Sequence, residues 1–262
     1  MKVIVLTKRS LAAIALIVVL CVAIIISAVM FVPKAVATAA AGRLIPIYSV
    51  DKSEKVASLT FDAAWGNEDT QTLINTLRRY NVKATFFVVG AWVDKYPESV
   101  KELNDAGEEV MNHSNSHPHM PTLSRTDMLN EITACDNKIK AITGKTPILF
   151  RPPYGDYNNA LIEALTSSGH YCIQWDVDSL DWKGIPASQI QQRVLSKVTN
   201  GSIILFHNAA KYTPEALPSI IETLQKRGYK LVPVSELIYR QNYTIDSAGK
   251  QHSVAQQSDV SH

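Results

Sequence analysis

The stretch Val56-Ala57-Ser58-Leu59-Thr60-Phe61-Asp62, with its echo Ala84-Thr85-Phe86-Phe87-Val88-Val89-Gly90, decides the fold. Each is a short, almost wholly apolar run rich in residues that suit a strand. Between them, Leu73, Leu77 and Tyr80 recur at helical spacing, so a helix near 69–80 separates two strands. Strand, helix, strand in about 35 residues reads as a parallel βαβ unit.

The pattern repeats outward. Further strands are expected at 109–111, 148–150, 171–175, 202–206 and 230–232. Helices are expected near 98–106, 124–142, 158–168, 187–199 and 214–227. Met128, Ile132, Cys135 and Ile139 share one helical face, Ser124 with Asp127 forms a helix start, and Gly107, Gly144, Gly169 and Gly228 follow helical runs as stops. No linker interrupts 56–240, so the α/β class is expected as one parallel sheet closed into a barrel. The expected boundaries are a linker over 33–50, a catalytic domain over 51–240 and a disordered polar tail over 241–262.

Residues 11–32 carry no charge and are long enough to cross a membrane as a helix. Lys2, Lys8 and Arg9 precede them, which keeps the N-terminus cytoplasmic and the body outside. The expectation is a stub and transmembrane anchor over 1–32. A cleaved signal peptide is the alternative, because Ala35-Val36-Ala37 and Ala37-Thr38-Ala39 fit a cleavage pattern. Of 26 Lys and Arg and 24 Asp and Glu in the 262 residues, five bases and no acid lie in 1–45. The remainder is mildly acidic, with 21 bases against 24 acids, which argues against nucleic acid as a partner. Cys21 lies in the apolar run. Cys135 and Cys172 leave a disulfide possible in an oxidising space, although Cys172 also reads as a buried strand residue.

In parallel barrels, chemistry gathers where strands end. Here those ends carry Asp62; His113-Ser114-Asn115-Ser116-His117; Arg151-Pro152-Pro153-Tyr154-Gly155; Asp176, Asp178 and Asp181-Trp182; and His207. His113 and His117, four apart, either face one ion or lie in a polar surface loop with His119. Asp62 reads as a general base, a metal ligand or a salt-bridge partner of Arg151. His207 is either a core histidine or, beside Asp181, a proton donor. Arg151 keeps its proton and so orients rather than abstracts. No phosphate loop, Gly-x-Ser-x-Gly elbow or Gly-x-Gly-x-x-Gly motif occurs, which leaves a hydrolase using water.

Taken in order, TFD, HSNSH, RPPYG, DSLDW and LFH resemble the five motifs of the polysaccharide deacetylases, the NodB-homology esterases of carbohydrate esterase family 4. Phe61-Asp62-Ala63-Ala64-Trp65-Gly66 is similar to the first motif of the sporulation-type, membrane-anchored branch. The resemblance implies a distorted (β/α)7 barrel and removal of N-acetyl groups from peptidoglycan or spore-cortex glycan. It implies Asp62 as base, oriented by Arg151, and His207 as acid, tuned by Asp181. It further implies His113 and His117 as ligands of a divalent metal ion (Zn, Co or Mn), and Tyr154, Trp182, Leu205 and Trp65 as substrate contacts. One departure stands out: the family usually places a second Asp, a metal ligand, where this chain has Ala63. That loss implies a weakened or absent ion, and an alternative role as a catalytically impaired glycan-binding envelope protein.

Overall fold

The computed structural model describes residues 42–254. The expected anchor over 11–32, the linker over 33–41 and the tail over 255–262 lie outside the described residues. Among the described residues no helix is long and apolar enough to cross a membrane.

The chain runs through β1 (Ser49–Val50), β2 (Val56–Ala63), α1 (Thr70–Arg79), β3 (Thr85–Val88), α2 (Gly90–Lys95), α3 (Pro97–Asp105) and β4 (Glu109–Asn112). It continues through α4 (Arg125–Thr143), β5 (Leu149–Phe150), α5 (Asn159–Ser167), β6 (Tyr171–Cys172), β7 (Val177–Asp178) and α6 (Ala187–Leu195). It ends with β8 (Ser202–His207), α7 (Thr213–Lys226), β9 (Lys230–Leu231), α8 (Val234–Leu237), β10 (Tyr243–Ile245) and β11 (Lys250–Ser253).

The α/β expectation holds. The sheet order is β10-β11-β1-β8-β2-β3-β4-β5-β6, with β7 on β8 and β9 on β2. Every strand pair from β8 through β2 to β6 is parallel. The sheet curls: beyond β6, Ile47 bridges Ile173, and β7 then reaches across to pair with β8. The expected strand 171–175 is therefore broken. Asp176 marks the break, its carboxylate accepting from Ser202 Oγ and the Ile203 N–H at 2.8 Å each.

β2 shows why the sequence folds this way. Leu59, Phe61 and Ala63 face the helices, in one apolar cluster with Leu73 and Leu77 of α1 and Leu217 and Ile221 of α7. Phe61 stacks on Phe86 and Phe206 of the flanking strands. Burying one such ring stabilises by about 1.5–3 kcal/mol. Ser58, Thr60 and Asp62 point the other way. Ser58 and Thr60 donate to the carbonyls of Val232 and Ile204 at 2.7 Å each, so the polar face of the strand is satisfied inside the curl. The helix start at Ser124 holds, its hydroxyl accepting from the Asp127 N–H. Cys135 and Cys172 are both free and buried, so no bridge forms between them.

Two expected boundaries are corrected. The end of the 33–50 linker is structural: Ile47 and Val50 are buried, and β1 sits between β8 and β11. Gly201 permits that approach, since a Cβ there would lie 1.7 Å from the Val50 carbonyl oxygen. The tail from 241 is ordered over 243–253, where β10 and β11 form a hairpin carried by β1. Much of it is held by hydrogen bonds, while Ile245 packs against the apolar cluster of Ile47, Val50 and Leu237. Buried Gln251 accepts from the Tyr239 N–H and donates to the Tyr239 carbonyl. Gln251→Ala strands both backbone groups. It is expected to lower the unfolding free energy by about 1–3 kcal/mol in urea titrations; an unchanged midpoint would show that the hairpin is not part of the folding unit.

Candidate active site

The C-terminal ends of β2, β4, β5, β7 and β8 open on one cleft of about 460 Å³. Asp62, His113, His117, Tyr154, Trp182, Leu205, His207 and Trp65 all line it. Arg151 and Asp181 lie behind the wall, 0% and 1% exposed, each touching a lining residue. The structure thus gathers every residue singled out for the site. Ala64, Trp175 and Asp178 line it as well.

Asp62 and His207 stand opposite each other on adjacent parallel strands. Arg151 Nη1 donates to Asp62 Oδ1 at 2.7 Å and Nη2 to the Gln174 carbonyl at 3.1 Å. The guanidinium lies over the Phe87 ring at 4.2 Å, which fixes its plane. Burial by itself pushes the Asp62 carboxyl up, but Arg151, His113 and His207 together outweigh it and hold the group below the usual carboxylate range. Asp62 is therefore an ionised base beside a cation it cannot deprotonate.

His207 has the opposite setting. Its Nδ1 lies 2.8 Å from Asp181 Oδ1, and its backbone N–H donates to Oδ2. Asp181 also accepts from the Thr213 hydroxyl and the Trp182 N–H, so its orientation is fully determined. Burial pushes the imidazole down, yet Asp181 overcomes this and raises it above its ordinary value. A low carboxylate and a raised imidazole in one cleft are the charge states that a base and acid pair requires.

The two candidate metal ligands are neutral. His113 Nδ1 faces the Arg151 carbonyl at 2.7 Å, which makes it the donor and leaves the Nε2 lone pair toward the cleft, 3.6 Å from Asp62 Oδ2. Burial lowers the His113 imidazole, and burial with neighbouring His113 lowers His117 to about 4. The loop between them is clamped by side chains. Asn112 Oδ1 accepts from the Ser114 N–H, Glu131 Oε2 from the Asn115 and Ser116 N–H groups, and Ser114 Oγ from the His117 N–H. These bonds hold Ser114 and His117 in the left-handed region. Glu131, on α4, left no signal in the sequence, because its partners, two backbone N–H groups and the Ser116 hydroxyl, lie in a separate loop.

A catalytic divalent site needs about three protein ligands. Among the described residues no group of three or more His, Cys, Asp or Glu is arranged to hold an ion. Ala63 does not supply a donor, and its methyl packs in the outer apolar cluster with Phe61. The residues present therefore fall short of the metal set that the family motifs imply.

The rim is aromatic. Trp65, Tyr154 and Trp182 are 46%, 59% and 54% exposed, unusual for such side chains. Tyr154, in the left-handed region, stacks on His119 and meets His117 edge-on. His119 is thus a rim residue, itself paired with Asp156. Asp69, expected to start α1, stands at the cap position but turns its carboxylate to the Ala209 N–H instead.

Residues 49–173 match the polysaccharide deacetylase family. The peptidoglycan-N-acetylmuramic acid deacetylase PdaC of Bacillus subtilis is 38% identical over 72% of this chain and 40% of its own length. A peptidoglycan-N-acetylglucosamine deacetylase of Bacillus cereus is 36% identical over 68% of this chain and 69% of its own. This chain spans 60%, 40% and 41% of the length of three of the curated proteins it matches, PdaC among them. Among solved structures, BA3943 of Bacillus anthracis, described as a CE4 family pseudoenzyme, matches with TM-score 0.72 at 33% identity over 80% of this chain and 72% of that one. A BA3943 mutant described as having restored enzymatic activity matches with the same TM-score at 36% identity, over 73% and 70% of the two chains. Five ordered motifs, their convergence on one cleft and these likenesses lead to one conclusion: this chain belongs to the polysaccharide deacetylase family.

Proposed function

We propose that the domain hydrolyses the N-acetyl group of a peptidoglycan-type amino sugar. The observation that carries this reading is the pairing of ionised Asp62 with proton-donating His207 across adjacent strand ends of one cleft. Asp62, oriented by Arg151, takes a proton from water as its oxygen bonds to the acetyl carbon. Tyr154, on the cleft lining, offers the N–H that meets the developing oxyanion in this reading. His207 gives its proton to the amide nitrogen as the C–N bond breaks, which leaves acetate and a free amine. Trp182 and Leu205 wall the acetyl group, and the exposed aromatic rim stacks on sugar rings. The names of the relatives support peptidoglycan as the glycan.

The full chain is proposed to work outside the cytoplasmic membrane, tethered through 11–32 or released by cleavage after it. A second reading, a glycan-binding envelope protein with little or no turnover, is favoured by Ala63 and by likeness to a pseudoenzyme. One assay separates the two. Full-length protein, assayed without and with added Zn²⁺, Co²⁺ or Mn²⁺, is expected to release acetate from peptidoglycan or N-acetylglucosamine oligomers, and Asp62→Asn is expected to abolish that release. Retention of glycan without acetate release under all three cations establishes the second reading instead.

A further inference from the structure

Trp65 stacks on His207 in an offset, near-parallel arrangement, ring centroids 5.7 Å apart and planes 17° apart. The loop that carries it is tied from both sides. Gly66 lies in the left-handed region, where a Cβ would fall 2.4 Å from Glu68 Oε2 and 2.6 Å from the Ala209 Cβ. The Gly66 carbonyl accepts from Trp92 Nε1 at 2.5 Å and from Asn208 Nδ2 at 2.7 Å. The Asn208 N–H in turn donates to the Asp62 carbonyl, and the Ala209 N–H to Asp69. The strand carrying the base and the strand carrying the acid are thus stitched together through the residue after Trp65. This much hydrogen bonding around one exposed indole points to a role for its position.

We propose that Trp65 is a positioning residue for His207, its π face covering the imidazole and favouring the protonated, proton-donating ring. This deepens the hydrolase reading and rests on His207 being its acid. An aromatic face within about 6 Å of a cation attracts it through the ring quadrupole. Asp181 holds the edge of the imidazole through Nδ1, and Trp65 holds a face. Nε2 is left as the only nitrogen free to give a proton to substrate. The other ionisable groups around the ring are Asp62 on β2, Asp178 on β7 and His113 after β4. On the loop that carries Trp65, Asp69 also interacts with Asp181 and accepts from the Ala209 N–H, so it stays unchanged in every variant compared.

The sign of one shift tests this. Trp65 acts on His207 in two opposed ways: its bulk excludes water, which disfavours the cation, and its π face favours it. Trp65→Leu keeps most of the cover and removes the π face, whereas Trp65→Phe keeps a ring. In full-length protein with ¹⁵N-labelled histidine, NMR titration reads the His207 midpoint directly, the signal being assigned by its loss in His207→Gln. Trp65→Leu is expected to lower the midpoint by about half a unit, and Trp65→Phe to recover most of it. A midpoint that stays or rises in Trp65→Leu overturns the proposal, since the indole then acts only as cover. The titration needs no turnover, so it decides the point even if no acetate is ever released. A failed hydrolase reading and a failed role for Trp65 are therefore told apart.

Discussion

Arg151→Leu is expected to lower the unfolding free energy by about 3–5 kcal/mol, the cost of leaving a buried charge without its partner. Arg151 is 0% exposed and Asp62 is 5% exposed, so water cannot replace the lost guanidinium. The loss should depend on pH in a definite direction. In the wild type the Asp62 carboxyl is held low, so its contribution is complete above its unfolded value of 3.8 and is lost only as pH falls through the still lower folded value. Without Arg151, burial is opposed only by His113 and His207. The carboxyl then moves up, and protonation relieves the buried charge. The stability gap between wild type and variant is therefore expected to narrow as pH is lowered from 7 toward 4. Urea melts of the two proteins at four or five pH values in that range measure it. A gap that stays constant would mean that the cost comes from lost packing over Phe87 and Trp175 rather than from the ion pair.

The second large effect belongs to His207. His207→Gln is expected to reduce acetate release by about 10²–10⁴-fold, the usual worth of a positioned proton donor. The fold should survive, because Asp181 keeps the backbone N–H groups of 207 and 182 and the Thr213 hydroxyl as donors. In the wild type the rate should fall on the alkaline side as His207 loses its proton, at a pH above the ordinary histidine value of 6.5. The same raised group contributes stability that is complete below 6.5 and is lost as pH rises through the folded value. Acetate release and melting temperature, followed together from pH 6 to 9 in wild type and variant, check both statements. A variant within threefold of wild type, or one that keeps the alkaline limb, removes His207 from the acid's role.

How far the sequence could be read depends on the physics behind each element. Strands β2, β3 and β8 were legible because each is a nearly continuous apolar run whose residues are buried on both faces. The site was legible because parallel strands deliver their last residues to one end of the sheet. Asp62, His113, Arg151 and His207 needed only that rule to be brought together. Asp176 was not legible by it. It resembles Asp178 in sequence, yet its carboxylate is spent on Ser202 and Ile203 where the strand breaks, while Asp178 reaches the cleft. The hairpin over 243–253 was read as disorder because buried Gln251 is satisfied by the backbone of Tyr239, a contact that composition does not record. Glu131 and Gln174 were invisible for the same reason: each serves backbone groups far away in sequence.

Ala63 sits on the helix-facing side of β2, among Phe61, Leu73 and the other apolar residues of the outer layer. A methyl group is at home there, whereas a carboxylate must reach out of that layer or be buried uncompensated at a cost of several kcal/mol. Exchanging Asp for Ala at such a place spares the core an anion, so folding offers no resistance to it. The reverse exchange meets resistance unless stability is already in reserve. Folding and turnover thus pull position 63 in opposite directions: a methyl group suits the packed layer, and a carboxylate there would serve an ion only at the expense of that packing.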